Sequence, residues 1–247
     1  MRQVALITGA SRGIGAATAR EFGTRGHHVI VNYRSDEAAA QRVVKDVEAA
    51  GGTAQAVQAD VCDPAQAARL VDERGRLDVL VCNANIQPPF APLSRMSWDA
   101  FSGKVMAELA AVFHVTKTAL DVMRGQGGGR IVYVSSVSAD HVRRGSIAHA
   151  TAKAALNVFA RHVAAEARDS GIAVNIVAPG AVRTDATRDV LTPEATAALG
   201  DRSVLGRVLL PEDVAKVIAS VTDGAFQAVA AAHIVVDGGA QVLPGRP

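Results

Sequence analysis

A chain of 247 residues, 49 % of them apolar, is long enough for one α/β domain, and with 4 % aromatics its core must be built from Val, Ala, Leu and Ile. A formal charge of +2 argues against nucleic acid as a partner, and the longest charge-free run near the end, Ala225 to Val236, is well short of the roughly 20 residues that cross a bilayer. Cys62 and Cys82 are isolated and lack ligand spacing, so packing in a reducing compartment is expected, with no disulfide and no metal site.

Val4–Ile7 enters a strand at once and leaves no room for a signal peptide, so a cytoplasmic protein is expected. Gly9-Ala10-Ser11-Arg12-Gly13-Ile14-Gly15 follows and opens a helix through about Thr24. A glycine-rich turn between a first strand and a first helix suits a pyrophosphate: the glycines permit close approach, and the helix N-terminus offers free N–H groups and a positive dipole end. His28–Tyr33 reads as the second strand and is followed by Arg34 and Ser35. An acidic residue at that point would hold a ribose 2′-hydroxyl, whereas cations accommodate a 2′-phosphate. Arg12, Arg34 and Ser35, beside Tyr33, therefore favour NADP(H) over NAD(H), and Asp36 is assigned to capping the next helix.

That helix runs over Asp36–Ala50 and stops at Gly51-Gly52; Thr53–Gln58 is the third strand, Pro64–Glu73 a short helix and Asp78–Val81 the fourth strand. Trp98–Met123 is a long helix. The β-branched run Ile131–Val134 ends in Ser135-Ser136, and the Ala-rich helix from Ile147 to about Arg168 carries His149 and Lys153 one turn apart. Ile172–Val177 is the sixth strand. Residues 185–210 are polar and broken by Pro193 and Gly200, which suggests a lid or binding loop. Pro211–Val221 is a helix with proline at its start, and His233–Val236 is the last strand. Seven strands alternating with helices predict a single-domain, Rossmann-type doubly wound sheet, mainly parallel, with helices on both faces.

The chain resembles the short-chain dehydrogenase/reductase family along nearly its whole length, and β-ketoacyl carrier-protein reductases within it. The glycine turn has the family's spacing, and Ser136 and Lys153 stand where its catalytic serine and lysine stand. The tyrosine between them is replaced by His149, the glycine of the Asn-Ala-Gly segment by Asn85, and the helix asparagine, counted back from Phe113, by Glu108. The resemblance implies that Asp60 and Val61 contact adenine, that Asn83 and Ala84 line the cofactor, and that Lys153 holds its ribose. It also implies that Pro179, Gly180, Val182 and Thr184 hold the nicotinamide carboxamide and phosphates, and that the long helices assemble homodimers or homotetramers.

The family's tyrosine protonates the forming alkoxide while its serine orients the carbonyl. Neither Tyr33 nor Tyr133 can take that part, since both lie in strands. Histidine titrates near working pH but is shorter, and Lys153 one turn away favours its neutral form, the poorer acid. Glu108 could offset this by pairing with Lys153 or His149. His141, Arg143 and Arg144 in the intervening loop could receive the phosphate arm of a carrier-bound substrate. Three functions follow: an NADP(H)-dependent ketoreductase acting on a small or carrier-bound carbonyl compound, a catalytically weak cofactor-binding subunit supporting a partner reductase, or a non-redox isomerase, dehydratase or cyclase.

Overall fold

The computed structural model describes residues 2–187 and 191–243. Seven strands form one sheet: β1 (Val4–Ile7), β2 (His28–Tyr33), β3 (Thr53–Gln58), β4 (Val79–Cys82), β5 (Gly129–Val134), β6 (Ile172–Pro179) and β7 (His233–Val236). Their order is β3-β2-β1-β4-β5-β6-β7, and every pairing is parallel. The continuous apolar character of β1 and β4, and the burial of every residue of β6, are those of strands covered on both faces.

Alternate residues divide the core into two layers. Leu6, Leu80, Ile131, Tyr133 and Ile176 point to the side covered by α3 (Pro64–Asp72), α4 (Trp98–Gly125) and α5 (Ile147–Glu166). Ile7, Val31, Val81, Val132 and Val177 point to the side covered by α1 (Gly13–Thr24), α2 (Glu37–Ala49) and α7 (Pro211–Val221). Each fully enclosed Leu or Ile contributes about 1.5–3 kcal/mol. Tyr133, the largest enclosed side chain, satisfies its hydroxyl against Thr116 Oγ1 at 2.8 Å.

The strand order reverses between β1 and β4, and the crevice beyond the carboxyl ends of the strands there is where such sheets take ligands. Asp36 caps α2 as expected, its Oδ1 accepting from Ala39 N at 2.9 Å. Several boundaries shift. β4 begins at Val79 because the Asp78 carboxylate is engaged by Val4 N at 2.8 Å and by Arg76. α4 continues to Gly125 and β6 to Pro179.

The segment 185–210 is not the irregular loop its polarity suggested. It holds a turn of 3-10 helix at Asp185–Thr187 and a nine-residue helix, α6 (Pro193–Asp201). Thr192 caps that helix by accepting from Ala195 N at 3.2 Å, with Pro193 and Glu194 in its first turn. This cap–proline–acid signature outweighs the polar composition. Residues 188–190 of the expected lid lie outside the described residues.

Candidate active site

The turn after β1 is held by the chain's own hydrogen bonds. Thr8 Oγ1 accepts from Asn83 N at 2.9 Å and Ala84 N at 3.0 Å, joining the ends of β1 and β4. Asn32 Oδ1 accepts from Gly9 N at 3.1 Å while its Nδ2 donates to Ala59 O at 3.1 Å, so one amide links β1, β2 and β3. Gly9 has φ +61°, and a Cβ there would come within 2.9 Å of Ala84 Cα. A side chain at Gly9 would thus be strained and would push the two strand ends apart.

These ends enclose a cavity of about 290 Å³. It is lined by Gly9, Ser11, Arg12, Gly13 and Ile14 of the turn, Tyr33, Arg34 and Ser35 after β2, Asp60 and Val61 after β3, Asn83 and Ala84 after β4, and Thr184 after β6. Most of the expected cofactor-binding residues therefore meet in one place. Four lie elsewhere. Gly15 is buried beneath the turn, where a Cβ would be 2.5 Å from Asn83 Nδ2. Pro179 ends β6, Gly180 N donates to Val236 O at 2.8 Å, and buried Val182 bridges Leu209. These last three carry Thr184 to the cavity.

The cradle fits a dinucleotide. Backbone without side chains faces the opening, and the first-turn N–H groups of α1 have no acceptor within their helix. A larger cleft of about 510 Å³ adjoins it beyond Arg12, lined also by Arg20, Arg42 and Arg183. Neither cavity is lined by Ser136, His149 or Lys153; these expected catalytic positions lie past Asn85 and Ile86, which line the smaller one.

There two of the three replaced positions, Asn85 and Glu108, prove to be joined through Lys104. Glu108 is 1 % exposed, and its Oε1 lies 2.6 Å from Lys153 Nζ in an ion pair. Its Oε2 accepts from Lys104 Nζ at 2.5 Å and from Ile86 N at 3.3 Å. Lys104, 3 % exposed, also donates to Asn85 Oδ1 at 3.0 Å and Ile86 O at 2.6 Å. Lys153 donates to Val134 O at 2.8 Å, which ties α5 to the end of β5. Burial alone would push the Glu108 carboxyl up; Lys153 and Lys104 reverse this and hold it at about 2. Glu108 thus pairs with Lys153, not with His149.

Lys104 was not anticipated from the sequence. The available signal was a Lys–Glu pair at i and i+4 on the stripe that continues through Ala111, Val112 and Val115, all core positions.

His149 is half-buried, and its Nδ1 is enclosed with no hydrogen-bond partner among the described residues. Burial, then the charges of Lys153, Lys104 and Arg143, depress its pKa to about 4, with Glu108 opposing only in part. The ring is neutral at pH 7. Phe90 lies 6.2 Å from it between centroids, and the Arg143 guanidinium sits 5.9 Å from the Phe90 ring. Ala91 N donates to Gly145 O at 3.0 Å, holding the two loops together at this rim. Ser136 Oγ accepts from Ser138 N at 3.1 Å and caps the turn that packs on α5. Tyr133 is fully enclosed and Tyr33 lies at the cofactor end, so neither reaches this cluster.

Residues 9–241 match the family model described as enoyl-(acyl carrier protein) reductase. The chain is 36 % identical to 3beta-hydroxysteroid dehydrogenase 1 of Eggerthella lenta, over 97 % of this chain and 94 % of that protein. It is 37 % identical to a 3-oxoacyl-[acyl-carrier-protein] reductase of Synechocystis sp., over 96 % of each. Its structure superposes on a short-chain type dehydrogenase/reductase from Mycobacterium ulcerans with a TM-score of 0.92 at 27 % identity, covering 98 % of this chain and 91 % of the other. Sheet order, glycine cradle and sequence together place the chain in the short-chain dehydrogenase/reductase family, whose members bind a nicotinamide cofactor.

Proposed function

We propose that this protein is an NADP(H)-dependent oxidoreductase that interconverts a carbonyl and an alcohol, with His149 handling the proton. The carrying observation is the neutral imidazole of His149, its Nδ1 enclosed without a hydrogen-bond partner among the described residues, one turn from Lys153 on the same helix. Ser136 orients the substrate oxygen by its hydroxyl, and Lys153 holds the cofactor ribose with N–H capacity not used on Val134 O. The dinucleotide, when bound, accepts or supplies the hydride. A neutral ring is a base, so at pH 7 the site is poised to take a proton from an alcohol; the reverse reaction draws on the rare imidazolium.

Arg12, Arg34 and Ser35 at the 2′-position side support NADP(H), and Asp36 is committed to its cap. Asp60, Val61, Asn83, Ala84 and Thr184 complete the cofactor cradle in this reading. Glu108, fixed between two ammonium groups, is no proton carrier, which removes a group that a non-redox acid–base enzyme would need. The relatives named for hydroxysteroid and 3-oxoacyl substrates support a secondary alcohol or ketone as substrate. Exposed Met106, Phe113 and Val158 on α4 and α5 support a homo-oligomer formed through those helices. No helix among the described residues is long and apolar enough to cross a membrane.

The test is turnover of NADP⁺ with cyclic and β-hydroxyacyl alcohols, and of NADPH with the matching ketones, in wild type and His149→Gln. Turnover lost in the variant is expected. Product formed without stoichiometric cofactor conversion would overturn the reading.

A further inference from the structure

Glu108 is a carboxylate set against the ammonium of the site's own lysine. Alone, it would cancel much of the field that Lys153 exerts on His149 and on anything bound beside it. One turn earlier on the same helix stands Lys104. We propose that Lys104 is a positioning residue whose ammonium offsets Glu108, so that the charge of Lys153 stays directed at the reacting groups.

The geometry distinguishes the two lysines. Lys104 Nζ spends all three N–H groups on Glu108 Oε2 at 2.5 Å, Ile86 O at 2.6 Å and Asn85 Oδ1 at 3.0 Å. It has no donor left for a substrate and acts only through its partners. Lys153 donates to Val134 O at 2.8 Å and faces Glu108 Oε1 in an ion pair at 2.6 Å, so it keeps N–H capacity for the site. Two ammonium groups facing one carboxylate leave a single buried positive charge, as if Lys153 stood alone. Lys104 also grips the carbonyl of the peptide unit that follows Ile86 while Glu108 holds the Ile86 N–H, and this fixes the start of the segment that brings Phe90 to His149.

The inference rests on His149 and Lys153 forming the reacting end of the site, and its test needs no turnover. The His149 imidazole is titrated by NMR in the ligand-free protein, in wild type, Lys104→Met and Lys104→Arg. His149 faces Lys153 from its own helix, Lys104 and Glu108 from α4, and Arg143 from the preceding loop. Met keeps the bulk of lysine without its charge; Arg keeps the charge with a different volume. The expected result is a midpoint raised by roughly one unit in Lys104→Met and left near wild type in Lys104→Arg. The reverse order, or equal shifts in both, would show a packing role and overturn the proposal. If Lys104→Met does not fold, Lys104→Gln, which can still donate to Ile86 O, takes its place under the same expectations. A protein that titrates as expected but converts no alcohol or ketone would sink the oxidoreductase reading and leave the role of Lys104 standing.

Discussion

The strongest consequence of the depressed His149 is a steep and one-sided pH dependence. With its pKa at about 4, the ring is some three units below neutrality. At pH 7 about one molecule in a thousand carries the imidazolium, and reaching it costs about 4 kcal/mol at 1.36 kcal/mol per unit. Reduction needs that proton, so kcat/KM for a ketone with NADPH should climb about tenfold for each unit of acidification between roughly pH 7 and pH 5, and level off near 4. Oxidation uses the neutral ring and should show no histidine inflection across the same interval. The assay is initial rates in both directions at constant ionic strength, with His149→Gln as the control in which the reductive slope disappears. A reductive profile flat from about pH 5 to pH 8, or an inflection near 6.5 as for an exposed histidine, would refute the assignment.

His149→Tyr supplies a longer hydroxyl donor beside Lys153 and should raise ketone reduction at pH 7 by at least about tenfold; unchanged NADPH consumption would show that the loop of Asn85 and Phe90 excludes the phenol. Glu108→Gln leaves Lys104 and Lys153 buried without their anion and should lower unfolding free energy by about 3–5 kcal/mol, read as a reduced urea midpoint. Arg34→Glu should weaken NADPH binding by at least about tenfold with little effect on NADH, measured by cofactor fluorescence titration. The unfolded chain takes up a proton on His149 before the folded one does, so stability should fall as pH drops from about 6.5 towards 4, by up to about 3 kcal/mol. Urea midpoints at about pH 7 and pH 5 test this. The loss should be smaller in His149→Phe, although His27 and His28, also depressed by burial, contribute with the same sign.

The fold was legible because its signals are local and repeated. β-branched runs such as Val29–Val31 and Ile131–Val134 cannot sit elsewhere than in a covered sheet, and the glycine turn is punctuated by residues whose backbone angles demand it. Asp36 could be assigned to a cap because the helix pattern begins immediately after it. The site was only half legible. Ser136, His149 and Lys153 were picked out by the family resemblance, but which way Glu108 faced depended on the rotation of α4. Lys104 was passed over because a lysine on a helix is ordinarily solvated, and only the three-dimensional contact with residues 85 and 86 shows where its charge goes. α6 was missed because its cap lies within a stretch dominated by polar residues.

The Asn32 amide, bonded to Gly9 and Ala59, has a thermodynamic corollary. Because the loops it fastens already hold their shape in the ligand-free chain, the disorder surrendered on complex formation falls mainly on the incoming molecule, a long and flexible one. The mouth of the first three strands thus behaves as a rigid mould, and adaptation to different partners has to come from the opposite rim, where Phe90 and Arg143 project into solvent.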